Sequence, residues 1–348
     1  RQMCIRDRVG CSPETRKNYL RDLIKYCRVA KLNPEQLIRE RRKDKMNGTH
    51  IAEQRLDSFI ATAELPHQAK WRIAISVKSF FAANYEDLSK GSGKITFLRQ
   101  KPIRVPTVDE IEAMCRHASL RDEVIIKILR DTGMREGSLS RLKWSHLWDE
   151  LFSRQNGDLI WDRITAIHVR LTALELKGKY SEVEQHCFLT PETVNLILEY
   201  KTFREKRGEK VGPESSLFTR DRKDTKGKYR PLTRRAIIYV VTDASSRIGK
   251  AYSPHDFRRF TQTAFERAQI LPNWTRKLLG RKIRGEESPY SRPKIDDLRE
   301  AFKKAIPYLT RGEVSADRVK NLEDELTRLK ESIQLFRREG VWDLDELG

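Results

Sequence analysis

The chain has 348 residues, and its 70 lysines and arginines exceed its 50 aspartates and glutamates, which gives a formal net charge of +20. A surplus of this sign and size favours a polyanionic partner, and the length predicts two or three domains. Because the sequence contains no apolar run of 18 residues, composition and pattern disfavour a membrane-spanning protein.

The five cysteines are Cys4, Cys11, Cys27, Cys115 and Cys187, and they form no C-x-x-C pair and no zinc-site spacing. We therefore expect free thiols in a reducing compartment, which favours a cytoplasmic protein. The pattern gives no reason to expect a metal ion or another cofactor. Residues 1–11 precede the first helical pattern, and we expect them to be a non-native or disordered leader.

Residues 12–90 carry the pattern of an all-helical domain. Ser12-Pro13-Glu14-Thr15 is typical of a helix start, with a capping residue followed by proline at the first helical position. Asn33-Pro34 predicts a second start of the same kind. Apolar residues at helical spacing predict a third helix over about 51–63 and a fourth over about 67–84.

The second of these helices contains a run of five cations: Arg39, Arg41, Arg42, Lys43 and Lys45. In a chain that favours a polyanionic partner, such a run predicts contacts to a phosphate backbone, which add affinity but carry no sequence information. A solvated helix face is the alternative interpretation.

Residues 91–106 are predicted to be a linker. Serine, glycine and lysine dominate its start, and Pro102 and Pro106 keep its end extended. Thr107 is then expected to cap the first helix of a second domain, since acidic residues fill the first turn after it.

Within the second domain, one helix is expected to end at Asp131-Thr132-Gly133 and another to run from about residue 135 to 144. Residues 164–176 alternate between apolar and polar types, and residues 183–189 are again rich in strand-forming types. With Lys177-Gly178-Lys179 as a turn between them, these stretches predict a small antiparallel sheet.

Thr190-Pro191 predicts another helix start, and helices are expected to dominate from there to Leu309. The second domain should thus cover residues 107–312. Residues 313–348 hold 6 lysines and arginines against 10 aspartates and glutamates, and the a/d spacing within 319–336 predicts an acidic, amphipathic helical tail. The expected fold class is mainly α (α+β).

One imidazole, three guanidiniums and one phenol are the candidates for chemistry: Arg135, His255, Arg258, Arg281 and Tyr290. A phenol has a pKa of about 10, so only about one in a thousand is ionised at pH 7. It becomes a useful nucleophile when cations stabilise the charge that its reaction creates. Arginine forks match the oxygens of a phosphodiester, which makes a nucleic-acid backbone the expected target.

At these residues the chain resembles the tyrosine recombinases, also called phage-type integrases. Thr132-Gly133-Met134-Arg135 is similar to the first arginine box of that family, and His255-Asp256-Phe257-Arg258 is similar to its His-x-x-Arg box. Leu278-Leu279-Gly280-Arg281 and Pro289-Tyr290-Ser291 follow, with 23 residues from Arg258 to Arg281 and 9 from Arg281 to Tyr290. Each motif is weak alone, and the ordered set is strong.

The resemblance implies a site-specific DNA recombinase that cuts and rejoins DNA through a 3′-phosphotyrosine intermediate. Tyr290 would attack the phosphorus, while Arg135 and Arg258 would clamp the scissile phosphate. The first domain, 12–90, would be a core-binding domain, and the second would be the catalytic domain. Because bond energy is conserved, neither ATP nor a metal ion is expected.

The remaining roles follow from the same resemblance. His255 would bind the phosphate and accept the tyrosine proton, and Lys177 would protonate the leaving oxygen, with Lys179 as the alternative or as a DNA contact. Two positions depart from the family. Arg281 stands where histidine or tryptophan is usual, so it could bind phosphate but could not shuttle a proton, and Ser138 stands where an acidic residue is common.

The partners implied are double-stranded DNA, a homo-tetramer on that DNA and an accessory DNA-bending protein. Two alternatives stay open. A type IB topoisomerase would use similar chemistry to relax DNA, and a catalytically inactive DNA-binding protein could share the fold. The departure at Arg281 is the sequence feature that favours the inactive protein.

Overall fold

The computed structural model describes residues 13–89, 91–93, 104–162, 166–171, 185–281 and 293–311. The chain divides into two compact units, Arg1–Pro102 and Ile103–Gly348. Within the described residues no helix is long and apolar enough to cross a membrane. The acidic tail predicted for 313–348 lies outside the described residues, as do the leader and most of the predicted linker.

The first unit contains four helices: α1 (Pro13–Ala30), α2 (Pro34–Asn47), α3 (Ile51–Thr62) and α4 (His67–Ala83). The predicted start of α2 is confirmed, because the Asn33 side chain accepts the backbone N–H of Gln36 and the Gln36 side chain accepts that of Asn33, both at 2.8 Å. The helices pack around a buried core that includes Leu23, Tyr26, Leu37, Leu56, Phe59, Ile73, Val77 and Phe81.

An ion pair joins the first and last of these helices. Asp22 on α1 is fully buried, and it accepts hydrogen bonds from Nε and Nη2 of Arg72 on α4 at 2.7 and 3.1 Å. Burying a carboxylate is costly unless it is paired. The pair therefore fixes which faces of α1 and α4 meet.

The second unit contains nine α-helices in its described part. They are α5 (Val108–Arg116), α6 (Leu120–Thr132), α7 (Glu136–Leu139), α8 (Trp148–Leu151), α9 (Pro191–Lys206), α10 (Arg234–Arg247), α11 (Pro254–Arg267), α12 (Pro272–Leu278) and α13 (Ile295–Leu309), with a 3₁₀ turn at Trp144–His146. Thr107 caps α5 and Thr190 caps α9, as predicted.

Two antiparallel hairpins complete the unit. Strands β1 (Ile167–Leu171) and β2 (Gln185–Leu189) pair with Ile167 opposite Leu189 and Leu171 opposite Gln185, which confirms the predicted small sheet. Strands β3 (Thr219–Lys223) and β4 (Tyr229–Pro231) form a second hairpin. Helices dominate the described residues between Thr190 and Leu309, as predicted. The second hairpin was not predicted, because charges at four of the five β3 positions remove the apolar alternation that marks a strand.

Helix α6 lies at the centre of the second unit. It packs against α5, α9, α10, α11 and β2, so it is buried on all sides. Its apolar residues include Val124, Ile125, Ile126, Ile128 and Leu129, each with no exposed surface. A helix that is buried all round must satisfy every polar group it carries, and this governs the charged residues near its end.

The helix predicted from residue 135 to 144 is wrong in length. Helix α7 ends after one turn, at Leu139. Beyond it, the Leu142 carbonyl accepts the N–H of Leu217 at 2.7 Å and the N–H of Trp144 reaches the Ser215 carbonyl at 3.1 Å. Bonds to a distant segment thus replace those that would continue the helix. The fold class, mainly α with a small antiparallel sheet, is confirmed.

Candidate active site

The site begins where α6 ends, at Gly133. This residue takes the left-handed conformation, with φ of +54°, and its N–H closes the helix on the Leu129 carbonyl at 3.0 Å. A Cβ at this position would lie 2.9 Å from Cδ2 of Leu279 and 3.1 Å from Cβ of Thr261. Glycine is therefore needed for both its backbone angle and its close contacts. The turn brings α6, α11 and the segment after α12 together.

Arg258, on α11, is fixed between two of these segments. Only 3% of its surface is exposed. Its Nη1 donates to the carbonyl of Gly133 at 2.9 Å, and its Nη2 donates to the carbonyl of Leu279. Since both acceptors are neutral, the guanidinium keeps its positive charge uncancelled by these two bonds. Arg258 thus links Gly133, which lies 125 residues before it in the sequence, to Leu279, which lies 21 residues after it.

The start of α11 holds His255 in its first turn. Pro254 occupies the first helical position, and the Asp256 carboxylate accepts the backbone N–H of Ser253 at 2.9 Å and its hydroxyl at 2.7 Å. The same carboxylate accepts a hydrogen bond from Arg259 at 2.7 Å. These bonds fix the helix start and leave the imidazole of His255 exposed at the surface.

The pKa of His255 is lowered from the usual value of 6.5 by partial desolvation, and then by the positive charges of Arg259, Arg258 and Arg281, against the opposing charge of Asp256. Each of these arginines disfavours a second cation beside it. At pH 7 the imidazole is therefore neutral, which is the form that accepts a proton.

Arg281 follows a second glycine turn. Gly280 has φ of +57°, and a Cβ there would lie 2.9 Å from Cβ of Gln185. The N–H of Arg281 closes the end of α12 on the Arg276 carbonyl at 2.8 Å, and Nε2 of the fully buried Gln185 donates to the Leu278 carbonyl at 3.0 Å. The turn that carries Arg281 is thus attached to β2 as well as to Arg258.

Arg135 lies two residues beyond the carbonyl that Arg258 holds. It is the N-cap of α7, and its own carbonyl accepts the N–H groups of Ser138 and Leu139 at 2.9 Å each. The next residue, Glu136, accepts hydrogen bonds from Nε and Nη2 of Arg234 at 2.9 and 2.6 Å. These backbone hydrogen bonds and the ion pair of Glu136 therefore fix the backbone position of Arg135.

The structure brings together the three segments that carry Arg135, His255, Arg258 and Arg281. Lys177, Lys179 and Tyr290 lie outside the described residues, so their roles stay predictions. Lys177 and Lys179 precede β2 in the sequence, and Tyr290 follows the turn at Gly280. Both β2 and this turn are part of the described site.

The cations of α2 have a different environment from the one expected. Arg41 is 8% exposed, and its guanidinium contacts the Glu53 carboxylate at 2.8 Å and the Asp87 carbonyl at 2.7 Å. A buried and paired cation is not presented to a ligand, which argues against the predicted DNA contact of Arg41. Arg42 and Lys45 pair with Glu86 at 3.0 and 2.8 Å.

The other two members of that run keep their side chains at the surface. Arg39 is 69% exposed and lies 3.6 Å from Glu35, and Lys43 is exposed. A contact between these two residues and DNA stays a prediction.

A buried charge network behind Gly133 was not predicted from the sequence. Arg130 is fully buried on α6, and its guanidinium pairs with Asp131 and Glu192 at 2.8 Å each. Lys127, one turn earlier, pairs with Glu112 at 2.7 Å and also with Glu192. Although burial opposes the charged form, these carboxylates raise the pKa of Arg130.

The network attaches the end of α6 to its surroundings. Asp131 accepts both the backbone N–H and the hydroxyl of Thr190 at 2.9 Å, which links α6 to the junction of β2 and α9. The sequence signal for this network is the presence of charged residues at positions 127, 130 and 131 among apolar residues of α6. The network anchors the turn from which Arg135 departs.

No protein-family model matches the chain, and no curated protein is similar to it. Several solved structures are similar to the chain. XerA recombinase has 18% identity and a TM-score of 0.40 over 84% of this chain and 92% of its own. Lambda integrase (residues 75–356) bound to DNA has 15% identity and a TM-score of 0.49 over 82% and 91%. The Tn1549 transposon integrase, in complex with transposon right end DNA, has 13% identity and a TM-score of 0.49 over 93% and 96%.

These structures are recombinases and integrases. They belong to the family that the sequence motifs resemble. Their identities lie between 13% and 18% and their TM-scores between 0.40 and 0.49, so the function is inferred from the residues of this chain.

Proposed function

We propose that the chain is a site-specific DNA recombinase that cuts and rejoins DNA with Tyr290 as its nucleophile. The observation that carries the proposal is the position of Arg258. This buried guanidinium contacts the carbonyls of Gly133 and Leu279, so it joins the three segments whose motifs the sequence places far apart. A guanidinium held in place at this junction is a preorganised donor for a phosphate oxygen.

The reaction that fits these residues is a transesterification at phosphorus. The phenol oxygen of Tyr290 attacks the scissile phosphate, its proton passes to the neutral His255, and the bond from phosphorus to the 5′-oxygen breaks. Lys177, or Lys179 in its place, gives a proton to the leaving 5′-oxygen. The 5′-hydroxyl of a second strand then attacks the phosphotyrosine and releases the tyrosine.

Three guanidiniums would stabilise the charge that develops on the phosphate: Arg135, Arg258 and Arg281. Preorganised donors of this kind are typically worth about 100- to 1000-fold in rate each. Arg281 stays protonated, so in this proposal it binds the phosphate and moves no proton. The lowered pKa of His255 favours the proton-accepting form without any further group.

The partners in this proposal are duplex DNA and other copies of the chain. Each copy supplies one Tyr290 and can therefore cut one strand. Exchange between two duplexes requires four cuts, so we propose that the active assembly is a tetramer on DNA. An accessory DNA-bending protein remains part of the proposal for sites that must be brought together.

Covalent trapping tests the proposal. Wild-type protein and Tyr290→Phe are incubated with pooled duplex DNA, quenched with detergent and separated by size. Tyr239→Phe is the matched control, because Tyr239 is 68% exposed on α10 and loses the same hydroxyl. We expect a protein–DNA adduct with wild type and the control, and none with Tyr290→Phe. An adduct that survives in Tyr290→Phe would contradict the proposed nucleophile.

A further inference from the structure

The β3–β4 hairpin and the start of α6 enclose a cleft of about 400 Å³ that lies apart from the residues discussed so far. Its lining contains five cationic side chains, which are Arg121, Arg220, Arg222, Lys223 and Arg230, and two carboxylates. Every lining residue is charged, and the cations outnumber the anions. The cleft therefore attracts anions and offers no apolar anchor.

The two carboxylates already have partners within the protein. Asp221 accepts a hydrogen bond from Arg121 at 2.5 Å and lies 3.5 Å from Arg207. Asp224 pairs with Arg230 and accepts two backbone N–H groups of the turn, each at 2.9 Å. These residues shape the hairpin and attach it to α6, so they do not neutralise the remaining cations.

Arg220 and Arg222 are those remaining cations. They occupy alternate positions on β3 and are both exposed. Both side chains line the cleft together with the intervening Asp221, whose carboxylate is engaged by Arg121. Within the described ranges neither guanidinium forms a hydrogen bond or an ion pair. Two solvated guanidiniums that line one cleft are suited to bind oxyanions.

The hairpin that carries them is well supported. The Arg207 guanidinium lies 4.4 Å from the ring centroid of Tyr229 on β4 and donates to the Thr219 hydroxyl at 2.6 Å. The ammonium of Lys223 lies 5.4 Å from the centroid of the same ring. Cations over an aromatic face are stabilised by the ring quadrupole, so these contacts fix the base of the hairpin.

The hairpin also leads directly to the candidate active site. Strand β4 ends at Pro231, and α10 begins three residues later with Arg234, which pairs with Glu136 beside Arg135. Residues 220–235 contain eight lysines and arginines against two aspartates. The cationic stretch that lines the cleft therefore runs along the chain to the start of α10, next to the segment that holds Arg135.

We propose that this cleft, with Arg220 and Arg222, binds the sugar-phosphate backbone of duplex DNA at a place away from the scissile phosphate. The inference rests on the proposed function, since it names a second contact of that same DNA. Guanidinium forks fit phosphate oxygens, and a contact of this kind fixes the position of the duplex without reading its sequence. An acidic protein surface fits less well, because protein interfaces depend on buried aromatic and apolar anchors, which the lining lacks.

The test is the salt dependence of DNA binding by the full chain. Each phosphate contact to duplex DNA contributes about 0.9 to the slope of log K against log salt. We expect Arg220→Gln/Arg222→Gln to reduce that slope by about 1.8. Arg154→Gln/Arg267→Gln removes the same charge from two other exposed arginines and should leave the slope unchanged. Arg220→Lys/Arg222→Lys keeps the charges and should restore most of it.

An unchanged slope in the Gln variant would overturn the inference, and so would a change equal to that of the control pair. A defect in self-association with a normal slope would also overturn it and would indicate a protein partner. Trapping of the tyrosine adduct separates this result from the proposed function. If the wild type forms the adduct and the Gln variant keeps the wild-type slope, only the DNA contact at the cleft is overturned. If the Gln variant has a reduced slope and the wild type forms no adduct, only the proposed recombinase activity is overturned.

Discussion

Two regions of the chain look alike in sequence and differ in structure. Residues 39–45 on α2 and residues 220–230 on the β3–β4 hairpin are both dense in lysine and arginine. On α2, Glu53 and Glu86 hold three of the cations in ion pairs. On the hairpin, the nearby aspartates are engaged elsewhere and leave Arg220 and Arg222 in solvent.

The difference shows that the density of cations does not give the charge that is available to a ligand. The partner of Arg41 is 12 residues away, and that of Arg42 is 44 residues away. Such pairs form only when helices pack, so a local pattern cannot reveal them. A cation is available when folding leaves its head group in solvent, as with Arg220 and Arg222.

The largest effect is expected at Arg258, the buried cation that is held by carbonyls. Arg258→Lys keeps the charge but loses the planar fork whose two Nη atoms reach Gly133 and Leu279, so the rate of adduct formation should fall about 100- to 1000-fold. Arg267→Lys, on the exposed end of the same helix, should keep the wild-type rate. Single-turnover trapping measures both, and an Arg258→Lys rate within threefold of wild type would contradict the assigned role.

A large loss of stability is expected when Arg41 loses its partner. Glu53→Gln leaves a buried guanidinium uncompensated, which should lower the free energy of unfolding of the first unit by about 3 to 5 kcal/mol. Glu35→Gln breaks an ion pair whose carboxylate is 83% exposed and should cost less than about 1 kcal/mol. Hydrogen exchange of α2 and α3 amides in the full chain measures both, and equal effects would remove the contrast between buried and surface cations.

A pH effect is expected from His168, because folding disfavours the protonated form of its imidazole. Desolvation, followed by the neighbouring His186, lowers the pKa of His168 to about 4, and Glu150 on α8 opposes this while Arg299 on α13 and Arg170 add to it. Nε2 of His168 lies 3.1 Å from Nδ1 of His186.

Between pH 6.5 and pH 4 the unfolded chain binds the His168 proton while the folded chain does not. The free energy of unfolding should therefore fall as pH falls through that window, by up to about 1.4 kcal/mol per pH unit. His168→Phe should flatten the dependence measured by urea unfolding, and the exposed control His117→Gln should not. A wild-type slope in His168→Phe would disprove the assignment.

The smallest effect is expected for the paired cations of α2. Arg42→Gln/Lys45→Gln removes two cations that are both held by Glu86 and share its one negative charge, so the salt slope for DNA binding should change by less than about one. The Arg220→Gln/Arg222→Gln protein is the direct comparison. If both double variants lowered the slope by about two, the distinction between the two basic regions would be lost.

The parts of the fold that could be predicted are those with local causes. Asn33, Thr107 and Thr190 each cap a helix with their own side chain, so their starts could be read within four residues. The β3–β4 hairpin could not be predicted, because its charged strand residues lack apolar alternation. The early end of α7 could not be predicted either, because the bonds to residues 215 and 217 have no local signature.

The candidate site divides in the same way. The order and spacing of the motifs indicated that Arg135, His255, Arg258 and Arg281 belong together, and the described part of the site brings their segments into contact. The glycine turns and the carbonyls that hold Arg258 could not be predicted, since they depend on the meeting of α6, α11 and α12. The roles of Lys177, Lys179 and Tyr290 stay predictions.

The two carbonyls that hold Arg258 have a consequence for how this protein can vary. A carboxylate partner can be lost by a single codon change, whereas every amino acid supplies a carbonyl. Substitution at Leu279 would therefore alter packing yet leave the acceptor in place. Only an insertion, a deletion or a change of backbone angle at Gly133 would move an acceptor away from the guanidinium. The contact of Arg258 with these two carbonyls is thus robust to substitution at Leu279, and sensitive to substitution at Gly133 and to changes in loop length.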